Sequence, residues 1–330
     1  MGTIFVVAEQ RGGAPTSAAL ELCAAARAFA GTVVAFTWGE GSAEVVPVLA
    51  KHGVNKVFDL GDLGDSLAGP RVAAAIAAEL AGTGGAPAGV ADAVLAASSY
   101  DGRDVAARLS VRLDRPVLAN VAGLRAEGGR LVSSHMAFGG AEVVSARFTG
   151  EPPGIFVMRP KAFPAAEVGP DGPGQPEVAR VELPEVGATD AAKVVARHVE
   201  ERHGPSLDDA KVVVSGGRGL GAAEHYSLIE ELASLLGGAP GASRAIVDAG
   251  WVPYAYQVGQ TGRTVKPEVY LAFGISGATQ HLVGMKGATH VIAVDRDPDA
   301  PMLQAADLGV VGDVHEVLPK LIEVVKAKQP

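Results

Sequence analysis

The chain has 330 residues, a length that favours two domains with substantial hydrophobic cores. Its formal charge of −9 and the lack of any lysine/arginine run argue against a nucleic-acid partner. A single cysteine, Cys23, excludes an internal disulfide and a cysteine-based metal cluster, and it fits a reducing compartment.

The N-terminus carries no recognisable targeting signal. The segment MGTIFVVAEQ enters a strand pattern at once, no basic region precedes it, and no apolar run in the chain has membrane-spanning length. We therefore expect a cytoplasmic protein that does not insert into a membrane.

Residues 1–186 are predicted to form an N-terminal α/β domain. Strand patterns (IFVVAE, TVVAFTW, KVFDL, DAVLAAS) alternate with helical patterns over 16–29, 42–52, 71–81 and 101–113. This order predicts a parallel sheet with helices on both faces. Beyond Pro116 the segments RLVSSHMAFGGAEVVSARF and GIFVMRP indicate β-rich additions, and VARVELPEV indicates one more strand of the same domain.

Residues 187–209 are predicted to be a linker. The segment GATDAAKVVARHVEERHGPSLDD is polar and mixed in charge, with few apolar residues to anchor it to either side. The chain is therefore divided into residues 1–186, the linker 187–209, and a second domain over 210–330.

The second domain repeats the alternation of strands and helices. Strands are predicted over 211–215, 240–248, 269–274, 290–294 and 309–311, and helices over 222–236, 277–286, 300–306 and 314–327. The sequence therefore predicts an α/β protein with two doubly wound parallel-sheet domains.

Four of the five predicted strands of the second domain end in small, polar or acidic residues. These ends read SGGRGLG (215–221), FGISGATQH (273–281), VDRDPDAP (294–301) and VGDVHE (311–316). Ligands of such sheets bind outside the carboxyl ends of the strands, and bare glycine turns suit phosphate groups. We expect an elongated polyanionic ligand with hydroxyl groups, such as a dinucleotide.

An NAD(P)-dependent oxidoreductase is one alternative. Gly217, Gly219 and Ala222 fit the dinucleotide fingerprint, but no acidic residue ends a strand about 20 residues later, and Arg218 is unusual in that turn. A nucleotide-binding regulatory protein without redox function is a second alternative. The sequence has no evident nucleophile, acid/base or metal-ligand constellation.

Three long segments resemble the FAD domain of the electron transfer flavoprotein alpha subunit. They are VVSGGRGLG, GASRAIVDAGWVPYAYQVGQTGRTVKPEVYLAFGISGATQHLVGM and IAVDRDPDAPMLQAADLGVVGDVHEVLPKL. The resemblance covers roughly 211–325, and the N-terminal half resembles the subunit's first domain more loosely.

The resemblance implies an electron carrier rather than an enzyme with its own substrate chemistry. Such a subunit binds FAD in a Rossmann-like domain and pairs with a beta subunit, which packs on the N-terminal domain and holds a structural AMP. The FAD carries single electrons from flavin dehydrogenases, such as the acyl-CoA dehydrogenases of fatty acid oxidation, to a membrane quinone oxidoreductase. For this reason SSYDGRD, residues 98–104, is interpreted as a vestigial nucleotide turn.

The resemblance also implies roles for single residues. Arg218 lies against the adenosine and pyrophosphate, Ser276 holds the pyrophosphate, and Arg244 lies over the isoalloxazine ring. The Thr261 hydroxyl approaches flavin N5, and His281 lies near the pyrimidine carbonyl. The expected cofactor-binding residues are Arg218, Ser243, Arg244, Val258, Gly259, Gln260, Thr261, Gly274, Ile275, Ser276, Gly277, Ala278, Thr279, Gln280, His281, Asp295 and Asp313, with no metal ligands.

Two positions carry further expectations. Propensity makes RAIVD a strand, whereas the family implies that the strand ends near Ser243. Asp295 stands where the family often has asparagine, so its contact with the cofactor is left open, while Asp313 is expected at the adenosine end.

Overall fold

A computed structural model describes residues 1–83, 91–140, 142–169, 172–196 and 205–328. The chain divides into two compact units, Met1–His198 and Val199–Pro330. The predicted linker is structured in part: Lys193 forms a β-bridge with Ser66, and Leu207 lies in the core of the C-terminal unit. Residues 197–204 of that predicted linker lie outside the described residues.

The N-terminal unit alternates strands and helices as predicted. Its described strands are β1 (Thr3–Val7), β2 (Gln10–Arg11), β3 (Ala14–Pro15), β4 (Thr32–Thr37), β5 (Lys56–Asp59), β6 (Ala93–Ala97), β7 (Val117–Val121), β8 (Gly123–Glu127), β9 (Arg130–Ala137), β10 (Glu142–Arg147), β11 (Gly154–Met158) and β12 (Glu177–Arg180). Its described helices are α1 (Ser17–Arg27), α2 (Ser42–Lys51), α3 (Ala68–Leu80) and α4 (Tyr100–Leu113), with 3₁₀ turns at Phe138–Gly140 and Gly187–Asp190.

Seven of these strands form one parallel sheet in the order β12-β5-β4-β1-β6-β11-β7. Ile4 and Val6 of β1 pack in a cluster on one face, and Phe5 and Val7 pack in a cluster on the other. A strand buried on both faces must be apolar throughout, which is why its sequence does not alternate. The β-rich segments beyond Pro116 are strands, as predicted, but they divide between two sheets: β8, β9 and β10 form a separate antiparallel sheet, and β11 lies in the parallel one.

The C-terminal unit is a second α/β fold. Its described strands are β13 (Val212–Gly216), β14 (Ala239–Ala242), β15 (Val269–Phe273), β16 (His290–Asp295) and β17 (Leu308–Val311). Its described helices are α5 (Ser227–Leu235), α6 (Arg244–Asp248), α7 (Thr279–Met285), α8 (Pro301–Ala305) and α9 (Val314–Lys328), with 3₁₀ turns at Arg218–Leu220, Ala223–Tyr226 and Tyr254–Tyr256.

The sheet of this unit has the strand order β14-β13-β15-β16-β17, and all its pairings are parallel. Apolar clusters cover both faces: Leu232 of α5 and Leu318 of α9 pack in one, and Met285 of α7 and Met302 of α8 pack in the other. The chain leaves β13 for β14 on one side and then crosses to β15 on the other. This switch point is where an open parallel sheet binds its ligand, and the prediction of two doubly wound α/β domains is confirmed.

Two predicted elements differ from the structure. The strand predicted over 240–248 is wrong beyond Ala242: β14 ends there and Arg244–Asp248 is helical. Burial of Ile246 in the core of the unit outweighs the β propensity of RAIVD. The family's implication that the strand ends near Ser243 is confirmed. The helix predicted over 222–236 begins as a 3₁₀ turn, and α5 starts only at Ser227.

None of the helices in the described residues combines the length and the apolar composition needed to cross a membrane.

Candidate functional site

The turns that follow β13 and β15 lie against each other. The Gly219 amide donates to the Gly274 carbonyl at 3.0 Å, and the Gly217 amide donates to the Phe273 carbonyl at 3.0 Å. A β-carbon on Gly217 would overlap the Gly274 carbonyl, and Gly274 itself has a φ of +63°. Only glycine allows this approach, so the two predicted ligand-binding turns pack backbone to backbone, beside the exposed Arg218.

The turn from β15 to α7 presents unpaired backbone donors. Within the described residues, the amides of Ser276, Gly277 and Ala278 have no hydrogen-bond acceptor. The Ser276 carbonyl accepts from the amide of Met302 at 3.1 Å, which fixes the turn to the start of α8. Ser276 is exposed while Ile275 is buried. Backbone N–H groups that converge without partners suit an anion such as phosphate.

Ser243 and Arg244 follow β14. The Ser243 side chain is buried, and its hydroxyl oxygen has no hydrogen-bond partner among the described residues. Arg244 is the first residue of α6, and its Nε donates to Oδ2 of Asp248 at 3.0 Å. A buried hydroxyl without a partner is costly in a folded protein, so this position has an unmet hydrogen-bonding need.

The loop 257–263 carries four of the predicted residues: Val258, Gly259, Gln260 and Thr261. Val258 donates to the carbonyl of Ala242 at 2.9 Å, so the loop lies beside the end of β14. Gln257 Nε2 donates to the Thr261 hydroxyl at 3.0 Å, which leaves the proton of that hydroxyl available for another acceptor.

The same loop is joined to α7. Gln260 donates to the carbonyl of Gln280 at 2.7 Å, and Thr279 begins the helix. The backbones of Gly259 and Gly284 touch so closely that a β-carbon on Gly284 would overlap the Gly259 Cα. The Thr261 loop and the helix that carries His281 are therefore one packed piece.

His281 lies on α7 and is 6% exposed. Its Nε2 lies 2.9 Å from the Tyr270 hydroxyl, which lies 2.7 Å from the Ser215 hydroxyl. Burial lowers the pKa of His281 to about 4, with a weaker opposing effect from the Val258 carbonyl. The ring is therefore neutral at pH 7, and its Nδ1 makes no hydrogen bond of good geometry with the described residues.

Asp295 is the last residue of β16, Asp313 follows β17, and both have local partners. Asp295 Oδ1 accepts from the amide of Asp297 at 3.0 Å. Asp313 caps α9 by accepting from the amide of His315 at 2.9 Å, and it also pairs with Arg296. The His315 amide, and then Arg296, hold the pKa of Asp313 below its usual value. Both carboxylates therefore stabilise the turns that follow β16 and β17 at the carboxyl edge of the sheet.

The predicted residues lie at or beside the carboxyl ends of the five strands of one sheet. Contacts join successive turns: Gly217 with Gly274, Gln260 with Gln280, and Ser276 with Met302. Sequence reasoning did not identify Ser215, Tyr270, Gln257 or Asp248. The sequence did contain one clue: Tyr270 stands inside a strand predicted to be buried, and a buried phenol needs a hydrogen-bond partner nearby.

A second polar position lies at the carboxyl edge of the N-terminal sheet. Glu9 follows β1, is buried, and accepts a hydrogen bond from the hydroxyl of Ser99. Ser99 caps α4 by accepting from the amide of Gly102 at 2.8 Å. Burial raises the pKa of Glu9, and nearby Asp101 raises it further against the Ser99 bond. A carboxyl group therefore occupies this corner of the sheet, and the interpretation of residues 98–104 as a vestigial turn stays a prediction.

The chain matches known families over most of its length. Residues 206–286 match the electron transfer flavoprotein FAD-binding domain, and residues 4–186 match the electron transfer flavoprotein domain. All predicted site residues except Asp295 and Asp313 fall within these ranges.

Whole-chain relatives agree with these matches. The chain is 40% identical over 335 residues to the electron transfer flavoprotein subunit alpha of Mycobacterium leprae (strain TN), covering 100% of both chains. It is 41% identical over 334 residues to the electron transfer flavoprotein subunit alpha of Mycobacterium tuberculosis (strain ATCC 25618 / H37Rv), and the alignment again covers 100% of both chains. It is 35% identical over 331 residues to that of Syntrophomonas wolfei, covering 99% of this chain and 100% of the relative. On these grounds the chain belongs to the electron transfer flavoprotein alpha-subunit family.

Proposed function

We propose that the C-terminal unit binds one FAD along the carboxyl edge of its sheet and that the chain works as an electron carrier. The observation that carries the proposal is a set of unsatisfied polar groups along this edge. The amides of Ser276, Gly277 and Ala278 have no acceptor among the described residues, and the buried Ser243 Oγ and His281 Nδ1 have no partner there. Anionic phosphates and a polar ring system supply what these groups lack.

Each group has a distinct task in this proposal. The turn at Ser276 binds the pyrophosphate through backbone amides, with Arg218 beside it. The FAD, when bound, supplies one-electron redox chemistry. Arg244 brings positive charge to the ring, which opposes the negative charge that electrons bring. The Thr261 hydroxyl, which already accepts from Gln257 at 3.0 Å, keeps its proton for a ring nitrogen.

The partners follow from the family. The chain pairs with an electron transfer flavoprotein beta subunit, which carries AMP. The pair receives electrons from flavin dehydrogenases such as acyl-CoA dehydrogenases and passes them to a membrane quinone oxidoreductase. The buried Glu9 at the corner of the N-terminal sheet supports the assignment of AMP to the partner, because a carboxyl group there opposes a phosphate. A cytoplasmic location stays a prediction.

The test is a titration of the chain, purified with its beta subunit, with FAD and separately with NADPH. We expect a yellow complex that releases FAD on denaturation and no tight NADPH binding. Ser276→Asp places a carboxylate among the free amides and should weaken FAD binding by about tenfold or more. Thr289→Asp adds the same charge at the exposed turn before β16, at the opposite edge of the sheet, and should leave binding unchanged.

Two results would contradict the proposal. Tight NADPH binding by a colourless protein would favour the oxidoreductase alternative. Equal losses of FAD affinity in Ser276→Asp and Thr289→Asp would show that charge alone, rather than the turn at Ser276, controls binding.

A further inference from the structure

Thr261 lies inside a small loop that closes on itself. The amide of Gly259 donates to the carbonyl of Arg263 at 3.1 Å, and the amide of Arg263 donates to the carbonyl of Gln257 at 2.6 Å. The amide of Gly262 donates to the Gly259 carbonyl, also at 3.1 Å. These backbone bonds join the two ends of the loop, while Thr261 itself is exposed.

Thr261 is held at its carbonyl and at its hydroxyl. The Tyr254 hydroxyl donates to the Thr261 carbonyl, which can only accept. Gln257 Nε2 donates to the Thr261 hydroxyl at 3.0 Å. Tyr254 belongs to the 3₁₀ turn Tyr254–Tyr256 and is 58% exposed, whereas Gln257 is buried. The first bond therefore restrains the backbone of Thr261 from the surface, and the second restrains its side chain from the interior.

The end of the loop is tied to the segment that leads into β13. Arg263 Nη1 donates to Oδ2 of Asp208 at 2.6 Å, and the two side chains are 36% and 35% exposed. Leu207, the neighbour of Asp208, belongs to the same buried apolar cluster as Val258 at the start of the loop. The segment through which the chain enters the sheet therefore braces the loop that carries Thr261.

The two outer contacts contribute little to the stability of the unit. A hydrogen bond made by an exposed phenol replaces one made to water, and a partly exposed ion pair is screened by solvent. Both contacts nevertheless end on the loop that carries one of the proposed flavin-binding groups. Their effect is to restrict the motion of this loop.

We propose that Tyr254 and Asp208 are positioning residues, which hold the loop so that the Thr261 hydroxyl stays against the flavin ring. This inference rests on the proposed FAD site. Neither residue touches the cofactor: Tyr254 acts through the Thr261 carbonyl, and Asp208 acts through Arg263. Because the loop opens to release a ring that Thr261 contacts, the two contacts also set the rate at which FAD leaves.

The chain offers matched variants for both contacts. Tyr254→Phe removes only the hydroxyl that holds the Thr261 carbonyl. Tyr256→Phe is its control, because the Tyr256 hydroxyl lies in the same 3₁₀ turn and has no hydrogen bond to the described residues. Asp208→Ala breaks the ion pair with the loop, and Glu268→Ala, which breaks another exposed ion pair of the unit, is its control.

Amide hydrogen exchange, followed by NMR on the flavin-free full chain, measures the opening of the loop. The bonded amides of Gly259, Gly262 and Arg263 report on the loop itself. The amides of Gly237 and Gly238 at the end of α5, which donate to carbonyls of that helix at 3.0 and 2.8 Å, report on a remote turn. A local opening of the loop leaves this turn closed.

We expect faster exchange in the loop and an unchanged rate in the remote turn. The loop amides should exchange about threefold to tenfold faster in Tyr254→Phe, as for one lost hydrogen bond. They should exchange about threefold to fivefold faster in Asp208→Ala, as for one lost ion pair at a partly exposed site. Tyr256→Phe and Glu268→Ala should keep the wild-type rates.

The FAD complex with the beta subunit gives the second measurement. The dissociation of FAD, followed by the fluorescence of the released flavin, should be faster in each variant by the factor found for its loop amides. Arg263→Ala should match Asp208→Ala, and the double variant should be no faster than either single variant, because both residues act through one ion pair.

Several results would overturn the inference. Unchanged loop exchange in Tyr254→Phe or in Asp208→Ala would remove the assignment of that residue. Equal acceleration in the remote turn would show a general loss of stability in place of a held loop. Faster loop exchange with unchanged FAD release would remove the role at the flavin and leave the FAD site intact. If the wild-type complex takes up no FAD, the proposed function fails and the flavin-directed role fails with it.

Discussion

Arg244 and Asp248 form an ion pair across one turn of α6, with 3.0 Å between Nε and Oδ2. The side chains are 65% and 60% exposed, so the pair contributes little to stability. The pair does orient the guanidinium, since Nε donates to Asp248 while the two terminal nitrogens have no hydrogen bond to the described residues. Arg244 directly follows Ser243, whose buried hydroxyl has no partner among the described residues. The charge of Arg244 therefore lies beside the proposed site and matters little to the stability of the fold.

Replacement of Arg244 tests this charge. Arg244→Ala should lower the midpoint potential of the bound flavin, because a positive charge that opposes the added electrons is lost. A residual ~1.4 kcal/mol after solvent screening corresponds to ~60 mV for one electron. Arg244→Lys should restore part of the shift, since lysine keeps the charge without the planar geometry. Potentiometric titration measures this shift in the midpoint potential. Lys211→Ala removes another exposed, ion-paired cation of the unit, and an equal shift there would contradict the site-specific effect.

Asp248 gives a prediction of opposite sign. Asp248→Asn removes the carboxylate that partly neutralises Arg244, so the midpoint potential should rise by a smaller amount than it falls in Arg244→Ala. The double variant should behave like Arg244→Ala alone, because Asp248 acts through the arginine. Glu268→Gln breaks the comparable exposed pair with Lys211 and serves as the control. A rise in potential that persists in the double variant would show that Asp248 acts on the flavin directly.

The contact between Gly217 and Gly274 predicts a loss of both stability and binding. In Gly217→Ala the new β-carbon overlaps the Gly274 carbonyl, so the turns after β13 and β15 must separate. We expect destabilisation of ~1–3 kcal/mol and FAD binding reduced more than tenfold. Thermal unfolding and FAD titration measure the two effects. Gly287→Ala, whose β-carbon meets only the flexible Lys266 side chain, is the control. Wild-type FAD affinity in Gly217→Ala would show that the turns need not touch.

Glu9 predicts a pH-dependent stability. Its pKa is raised in the folded protein, so the folded state binds the proton more tightly than the unfolded state does. Stability should therefore fall as the pH rises from the ordinary glutamate range through the raised pKa, and level off above it. Glu9→Gln removes the charge but keeps an acceptor for Ser99, and at pH 7 it should raise the melting temperature by about 2–4 °C.

The gain in Glu9→Gln should shrink as the pH is lowered toward 4.5, where the wild-type carboxyl is itself protonated. Melting curves at several pH values measure this trend. Glu44→Gln, on the exposed first turn of α2, serves as the control. A gain that stays constant with pH would contradict the burial argument.

The fold could be predicted because the hydrophobic pattern of each segment identifies it as a strand or a helix. Apolar β-branched strands and amphipathic helices alternate in both halves, and glycine turns mark the strand ends. The turn at Arg244 was accessible only through the family resemblance, since Ile246 and Val247 favour a strand and only tertiary packing makes that segment a helix. The Ser215–Tyr270–His281 chain was not predictable, because it depends on the register between β13 and β15, with Tyr270 opposite Val213 and Ser215 opposite Ala272.

The backbones of Gly259 and Gly284 are in direct contact, and this contact holds the Thr261 loop against α7. The loop that carries Thr261 and the helix that carries His281 touch backbone to backbone, with the additional bond from Gln260 to the Gln280 carbonyl at 2.7 Å. Neither side can move away without breaking these contacts, so the Thr261 loop and α7 are held together as one rigid piece. A substitution that separates the two backbones should therefore displace Thr261 and His281 relative to each other, even though it changes neither side chain.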